Sequence, residues 1–193
     1  MPEPSIRASL AKMVLRRATE VWPGDAPAIR AALGPDALDR LERTPGHEWV
    51  PLAFEVAIVR AVHARHGDEG ARRLGVEIGR AGLEHPLLRP LVVATLGMLG
   101  RRPPVLLEIA SAAWMVATRE AGRPGRARPR AGGATLDLSQ LTEVVIRERA
   151  YLLRMAGALQ GLFELAQLST TCDVEWEEGA PRAVLQLSWV RAG

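Results

Sequence analysis

The sequence predicts an α+β fold in which a helical N-terminal layer packs on a four-stranded antiparallel sheet, and three observations predict it. Apolar residues recur at helical spacing through about residue 112, they alternate with period two in later stretches, and a long helical run lies between two such alternating stretches. Two hairpins joined by a helix bury one sheet face under that helix, and the preceding helices cover what remains.

Each element follows in order. Ser5 is placed to cap a helix whose apolar residues Ile6, Leu10, Met13, Val14 and Val21 share a face, and Pro23-Gly24 ends it. Short helices are expected at 25–33 and 35–43, opened by Asp or Pro and closed by Gly or Pro. Trp49-Val-Pro51 then introduces PLAFEVAIVRAVHARHG, which is apolar on most sides and reads as a core helix ended by Gly67. Further helices are expected at 68–82, at 87–99 and from Pro103-Pro104 to about Ala112.

The period then changes. Trp114, Val116 and Thr118 alternate with Met115, Ala117 and Arg119, and Leu136 and Leu138 alternate with Thr135, Asp137 and Ser139, which predicts a hairpin with a long basic loop. A helix over 143–167 follows. The last hairpin sets Cys172, Val174 and Trp176 opposite Asp173, Glu175 and Glu177, turns at Glu178-Gly-Ala-Pro181, and returns with Leu185, Leu187 and Trp189 on its apolar face. The expected organisation is one domain, 1–193, mainly helical over 1–112 and hairpin–helix–hairpin over 113–193.

Within the 143–167 helix the run MAGALQGLFELAQL places Gly157 and Gly161 one turn apart. Each helix-interior glycine costs roughly 1 kcal/mol relative to alanine, so the pair is read as a packing seam where a neighbouring backbone approaches closely.

Composition bounds the function. At 193 residues with 48% hydrophobic and 24% charged residues, the chain is an ordinary globular sequence rather than a disordered one. Its one cysteine, Cys172, excludes a disulfide framework and any multi-cysteine metal site, and fits a reducing, cytoplasmic setting. The N-terminus does not read as a signal peptide, and the longest apolar run, Leu91 to Gly100, falls short of the ~20 residues of a membrane span. The pI of 9.9 comes from one segment, REAGRPGRARPR over 119–130, which holds five Arg and one Glu and leaves the remainder close to neutral. Since 24 of the 25 basic residues are arginine, coding bias accounts for the basicity as readily as phosphate recognition does.

Trp49-Val-Pro51, the run Tyr151-Leu-Leu-Arg-Met-Ala-Gly157-Ala-Leu-Gln-Gly161-Leu-Phe-Glu, and the closing Leu187-Ser-Trp189 resemble an uncharacterised family of small bacterial proteins common in myxobacteria. That family is remotely similar to vinyl-reductase regulatory domains, heme-NO-binding domains and Bet3-type TRAPP subunits. The resemblance spans roughly 35–190 and implies small-molecule sensing, a held lipid-like group or scaffolding, mostly in dimers. Heme-NO-binding domains grip propionates with Tyr-x-Ser-x-Arg, whereas the only tyrosine, Tyr151, is followed by Leu-Leu-Arg-Met, so on this motif heme is disfavoured and no cofactor is expected. Cys172 lies in an expected strand, so the acylated cysteine of Bet3-type subunits does not carry over.

Candidate sites are few. His63 and His66 share a helical face and could supply two metal ligands, or simply meet the helix C-terminal dipole. With Glu84 beside it, His85 could do acid–base work or tether a loop, as could His47 with Glu48. The sequence holds no GxSxG, P-loop or strand-linked GxGxxG, and Ser111, Ser139, Ser169 and Ser188 have no histidine nearby in sequence. Trp114, Trp176, Trp189 and His85 are the candidate ligand-pocket residues. Arg123, Arg126, Arg128 and Arg130 complement Asp173, Glu175 and Glu177 and are the candidate partner surface.

The resulting expectation is a non-enzymatic small-molecule-sensing or protein-interaction module, a homodimer with a protein partner or small apolar ligand. The alternatives are nucleic-acid or anionic-surface binding through the Arg-rich loop 119–130, which the charge arithmetic disfavours, and a small hydrolase dependent on His85.

Overall fold

The computed structural model describes residues 3–100 and 102–191. A short strand β1 (Ser5–Arg7) leads directly into α1 (Ala8–Val21). Ser5 is therefore a strand residue rather than a helix cap: Ile6, only 3% exposed, is held between two neighbouring strands, and the helix begins at Ala8. After a 3-10 turn come α2 (Ala26–Ala31) and α3 (Pro35–Arg43), the latter opened by Pro35, whose fixed φ suits a first helical turn.

β2 (Trp49–Pro51) pairs antiparallel with β1 and feeds α4 (Leu52–Glu84). The glycine expected to end a helix instead bends one. Gly67 takes φ 62°, a conformation that favours glycine, and helical geometry resumes at once on its far side. Next come α5 (Arg89–Leu99) and α6 (Pro103–Ala117), which starts on two prolines.

The strand expected at 114–119 is mostly helix. Trp114 and Val116 belong to the last turn of α6, and only β3 (Thr118–Arg119) is extended, pairing with β1. The misleading alternation has a physical cause, because α6 is apolar nearly all round and any period can be read into it. β1, β2 and β3 form a small sheet of order β2-β1-β3, stitched by contacts of the Trp49 ring with the guanidinium carbons of Arg7, 4.0 Å from its centre, and Arg119, 4.1 Å from it.

The larger sheet has five strands rather than four. β4 (Arg123–Pro124), β5 (Arg128–Arg130) and β6 (Gly133–Ser139) precede the short helix α7 (Glu143–Ile146) and α8 (Arg149–Phe163), and β7 (Leu168–Trp176) and β8 (Arg182–Arg191) follow. The order is β4-β6-β8-β7, with β5 also pairing β6. Both short basic strands thus lie along one edge of β6, with the Gly125 amide donating to the Asp137 carbonyl between them at 2.7 Å. Within the final hairpin Cys172 faces Leu187 and Val174 faces Leu185.

Helix α8 lies on the inner face of this sheet and crosses the second half of α4 at very short range. A Cβ on Gly157 would fall on the Arg72 carbonyl and one on Gly161 on the Val76 carbonyl. Reciprocally, a Cβ on Gly75 or Gly79 would meet the carbonyls of Arg154 or Ala158. Bare backbone on both helices is what allows the contact. Among the described residues, no helix is long and apolar enough to cross a membrane.

Candidate functional site

The helical layer and the larger sheet do not close completely against each other. Between them lies a cavity of about 170 Å³ with almost wholly apolar walls. Leu10, Met13 and Val14 of α1 form one wall, and Ile109 and Trp114 of α6 another. The sheet contributes Leu136, Leu138 and Leu185, while Leu88 and Val92 close the side where α5 lies.

One wall is polar. Glu55 of α4 and Tyr151 and Arg154 of α8 all line the cavity, although Glu55 is 1% and Arg154 7% exposed. The Arg154 guanidinium pairs with the Glu55 carboxylate, and the Tyr151 hydroxyl donates to Glu55 Oε2 at 3.0 Å. A charged pair placed this deep is retained only when its members satisfy one another, because either charge alone in an apolar interior is very costly. Among the described residues Arg154 Nε has no hydrogen-bond acceptor. Burial pushes the Arg154 guanidinium down to about 9 and raises the Tyr151 phenol far above its ordinary value, so near neutral pH the guanidinium stays a cation and the phenol stays protonated.

The candidate residues read from the sequence disperse. Trp114 borders the cavity, its indole N–H donating to the Gly122 carbonyl at 3.2 Å and its ring edge-on to Tyr151. Trp176 instead donates to the Ile146 carbonyl at 3.0 Å, and Trp189 packs on Phe163; neither lines the cavity. His85 sits in the turn between α4 and α5, where Nδ1 accepts from the Leu87 amide at 3.2 Å, a loop-tethering contact. Burial, with Arg16 nearby, pushes its imidazole below the ordinary value.

The two helical histidines, both just before the Gly67 bend, point to different partners. His63 Nε2 is 2.9 Å from Asp68, which Arg149 also holds, and His66 Nε2 is 2.8 Å from Asp25 and stacks on Trp22. Among the described residues no group of three or more His, Cys, Asp and Glu is placed to hold a metal ion. Cys172 is buried under the sheet, its thiol pushed up to about 12 by burial. The Arg-rich segment lies against its own sheet: Arg128 reaches Asp137 at 2.7 Å, and Arg130 spans to Ser188 Oγ at 3.1 Å.

The residues missed at the sequence level are Glu55 and Arg154. Each is the only charge in its apolar run, Pro51 to Val59 and Tyr151 to Phe163, and that isolation was the available signal.

No family model and no curated protein matches the chain. Solved structures do match over nearly its whole length. It is similar to an Fe(II) unliganded H-NOX protein from K. algicida, at 9% identity and TM-score 0.62 over 96% of this chain and 97% of that one. It is also similar to an H-NOX protein from S. oneidensis in the Fe(II)NO ligation state, at 12% identity and TM-score 0.55 over 95% and 99% of the two chains. An H-NOX domain related to soluble guanylate cyclases, in its oxygen complex, matches at 13% identity and TM-score 0.53 over 95% and 94%. The chain therefore has the fold of these heme-NO-binding domains.

This corrects the expectation that heme is disfavoured. That expectation rested on one mismatched motif after Tyr151, whereas the whole backbone follows proteins described with ferrous iron and its NO or oxygen complexes.

Proposed function

We propose that the chain is a non-enzymatic small-molecule-sensing domain, folded as a single unit, that holds its ligand in the cavity between the helical layer and the larger sheet. The observation that carries the reading is an apolar cavity with one buried ionic wall, Glu55, Tyr151 and Arg154, inside an H-NOX-like fold. Fold alone does not decide function, so the weight rests on the cavity.

Heme is the first cofactor to consider. The walls suit the apolar faces of a macrocycle, and the unspent Arg154 Nε–H suits a carboxylate. The lining supplies two thioethers, Met13 and Met155, as iron donors; the Tyr151 phenol is held protonated and donates to Glu55, and no imidazole lines the cavity among the described residues. Bound heme would supply an iron that takes up diatomic gases; the chain's residues would exclude water, hold the macrocycle and neutralise its acid groups.

The cavity volume favours a second reading. About 170 Å³ is the scale of a benzene-sized cavity and lies below the roughly 300–1,000 Å³ of drug-sized sites. As it stands the site fits a small apolar ligand, and a macrocycle requires the α5 wall to move outward.

The test is native mass spectrometry and visible absorption of protein produced with a heme precursor, followed by titration with hemin and with benzene. The reading expects a retained mass with a Soret band, or saturable benzene binding without one. Absence of a retained mass together with no binding of either probe would overturn it.

A further inference from the structure

We propose that the outer face of the five-stranded sheet is a self-complementary docking surface whose partner is a second copy of this chain. The strand order puts β4 and β5 at one edge and β7 at the other. Alternation sends Ala134, Leu136, Leu138, Leu185, Leu187 and Cys172 inward, where all are buried. What points outward is polarised. Arg123, Arg126, Arg128 and Arg130 are exposed along the β4–β5 edge, and Asp173, Glu175, Glu177 and Glu178 are exposed along and just beyond β7. Between them the face carries Thr135, Gln186 and Ser188, with Val190 67% exposed.

A face that is basic at one edge and acidic at the other is complementary to itself under one symmetry operation. With the two-fold axis in the plane between the sheets and parallel to the strands, each basic edge lies over the partner's acidic edge, and both contacts form at once. Packed sheets sit about 10 Å apart, within reach of Arg and Glu side chains extending from opposite faces. The charges also reject the competing assemblies. Pairing β7 with a second β7 sets acid against acid, and joining β7 to the partner's β5 is head-to-tail and does not close.

Contacts within the chain prepare the surface. Gly133 has no side chain to obstruct Arg130, which crosses over it to Gln186 Oε1 at 3.2 Å and Ser188 at 3.1 Å. Arg128 is likewise held by Asp137. Asp173 and Glu177 have no salt-bridge partner within the chain among the described residues, which leaves them for arginines of the second copy.

The test is the mass of the full chain by light scattering across salt, with two double charge reversals, D173R with E177R and R123E with R126E. The wild type is expected to dimerise at low ionic strength and to dissociate as salt shortens the Debye length to about 8 Å or less. Each variant alone should lose at least tenfold in dimer affinity. An equimolar mixture should recover a heterodimer, because the arginines introduced at 173 and 177 then meet the glutamates introduced at 123 and 126 while the unaltered edges pair as in the wild type, and damage to folding would not be rescued this way. A monomeric wild type at low salt, a dimer indifferent to salt, or folded variants that fail to recover on mixing would each overturn the proposal.

Discussion

The α4–α8 crossing and the α5 wall of the cavity are both made largely of small and apolar residues, yet they pack in opposite ways. At the crossing, Gly75, Gly79, Gly157 and Gly161 bring two backbones together with no room for a Cβ. On α5, Val93 is 61% and Met98 83% exposed, and no atom lies within 4 Å of a Cβ built on Gly97. Glycine at the crossing is a packing device; on α5 it buys nothing in contacts. One region is rigid because its backbones touch, and the other is the part of the cavity wall with least holding it in place.

The comparison breaks most severely at the buried pair, which spans the same two helices as the crossing. Glu55→Ala leaves Arg154 charged and unpaired in the interior, and urea denaturation should show a loss of about 3–5 kcal/mol. Gly161→Leu forces a side chain onto the Val76 carbonyl and should cost about 3 kcal/mol in the same assay. A midpoint equal to wild type would mean that the two helices do not meet there.

Smaller effects belong to the open side. Met98→Ser on α5 should change stability by no more than about 0.5 kcal/mol, since an 83% exposed side chain has little packing to lose. Hydrogen exchange should find the α5 amides opening well before those of α8. The smallest effect is at His85. Its folded-state pKa lies below the unfolded value of 6.5, so the unfolded chain binds the proton more readily, and stability is full above that value and declines as pH falls through it. His85→Gln should therefore narrow the difference in urea midpoint between about pH 7.5 and about pH 5.5.

How far the sequence reveals this arrangement depends on range. The helices of the first part, the last hairpin and the glycine run at 157–161 announce themselves through local period and caps. The C-terminal end of α6 does not, because an all-apolar helix carries no face, and the three-residue strands β1 and β2 exist only through pairing with each other and with β3. The basic segment 123–130 reads as a loop from its prolines and arginines, and becomes strand because β6 offers an open edge. The cavity is least legible, since its walls come from helices and strands distant in sequence. Of the residues read as a pocket from the sequence only Trp114 lines it, and the lone charges Glu55 and Arg154 were the signal left unread.

The most direct test of a ligand cavity is binding measured in the wild type beside a variant that fills the space. Leu136→Trp adds bulk to the sheet wall and leaves both members of the Glu55–Arg154 pair in the chain. If the cavity is the site, wild type retains or binds heme or a small apolar probe and the folded variant loses at least tenfold in affinity. Equal binding by both proteins, or none by the wild type, would contradict the account.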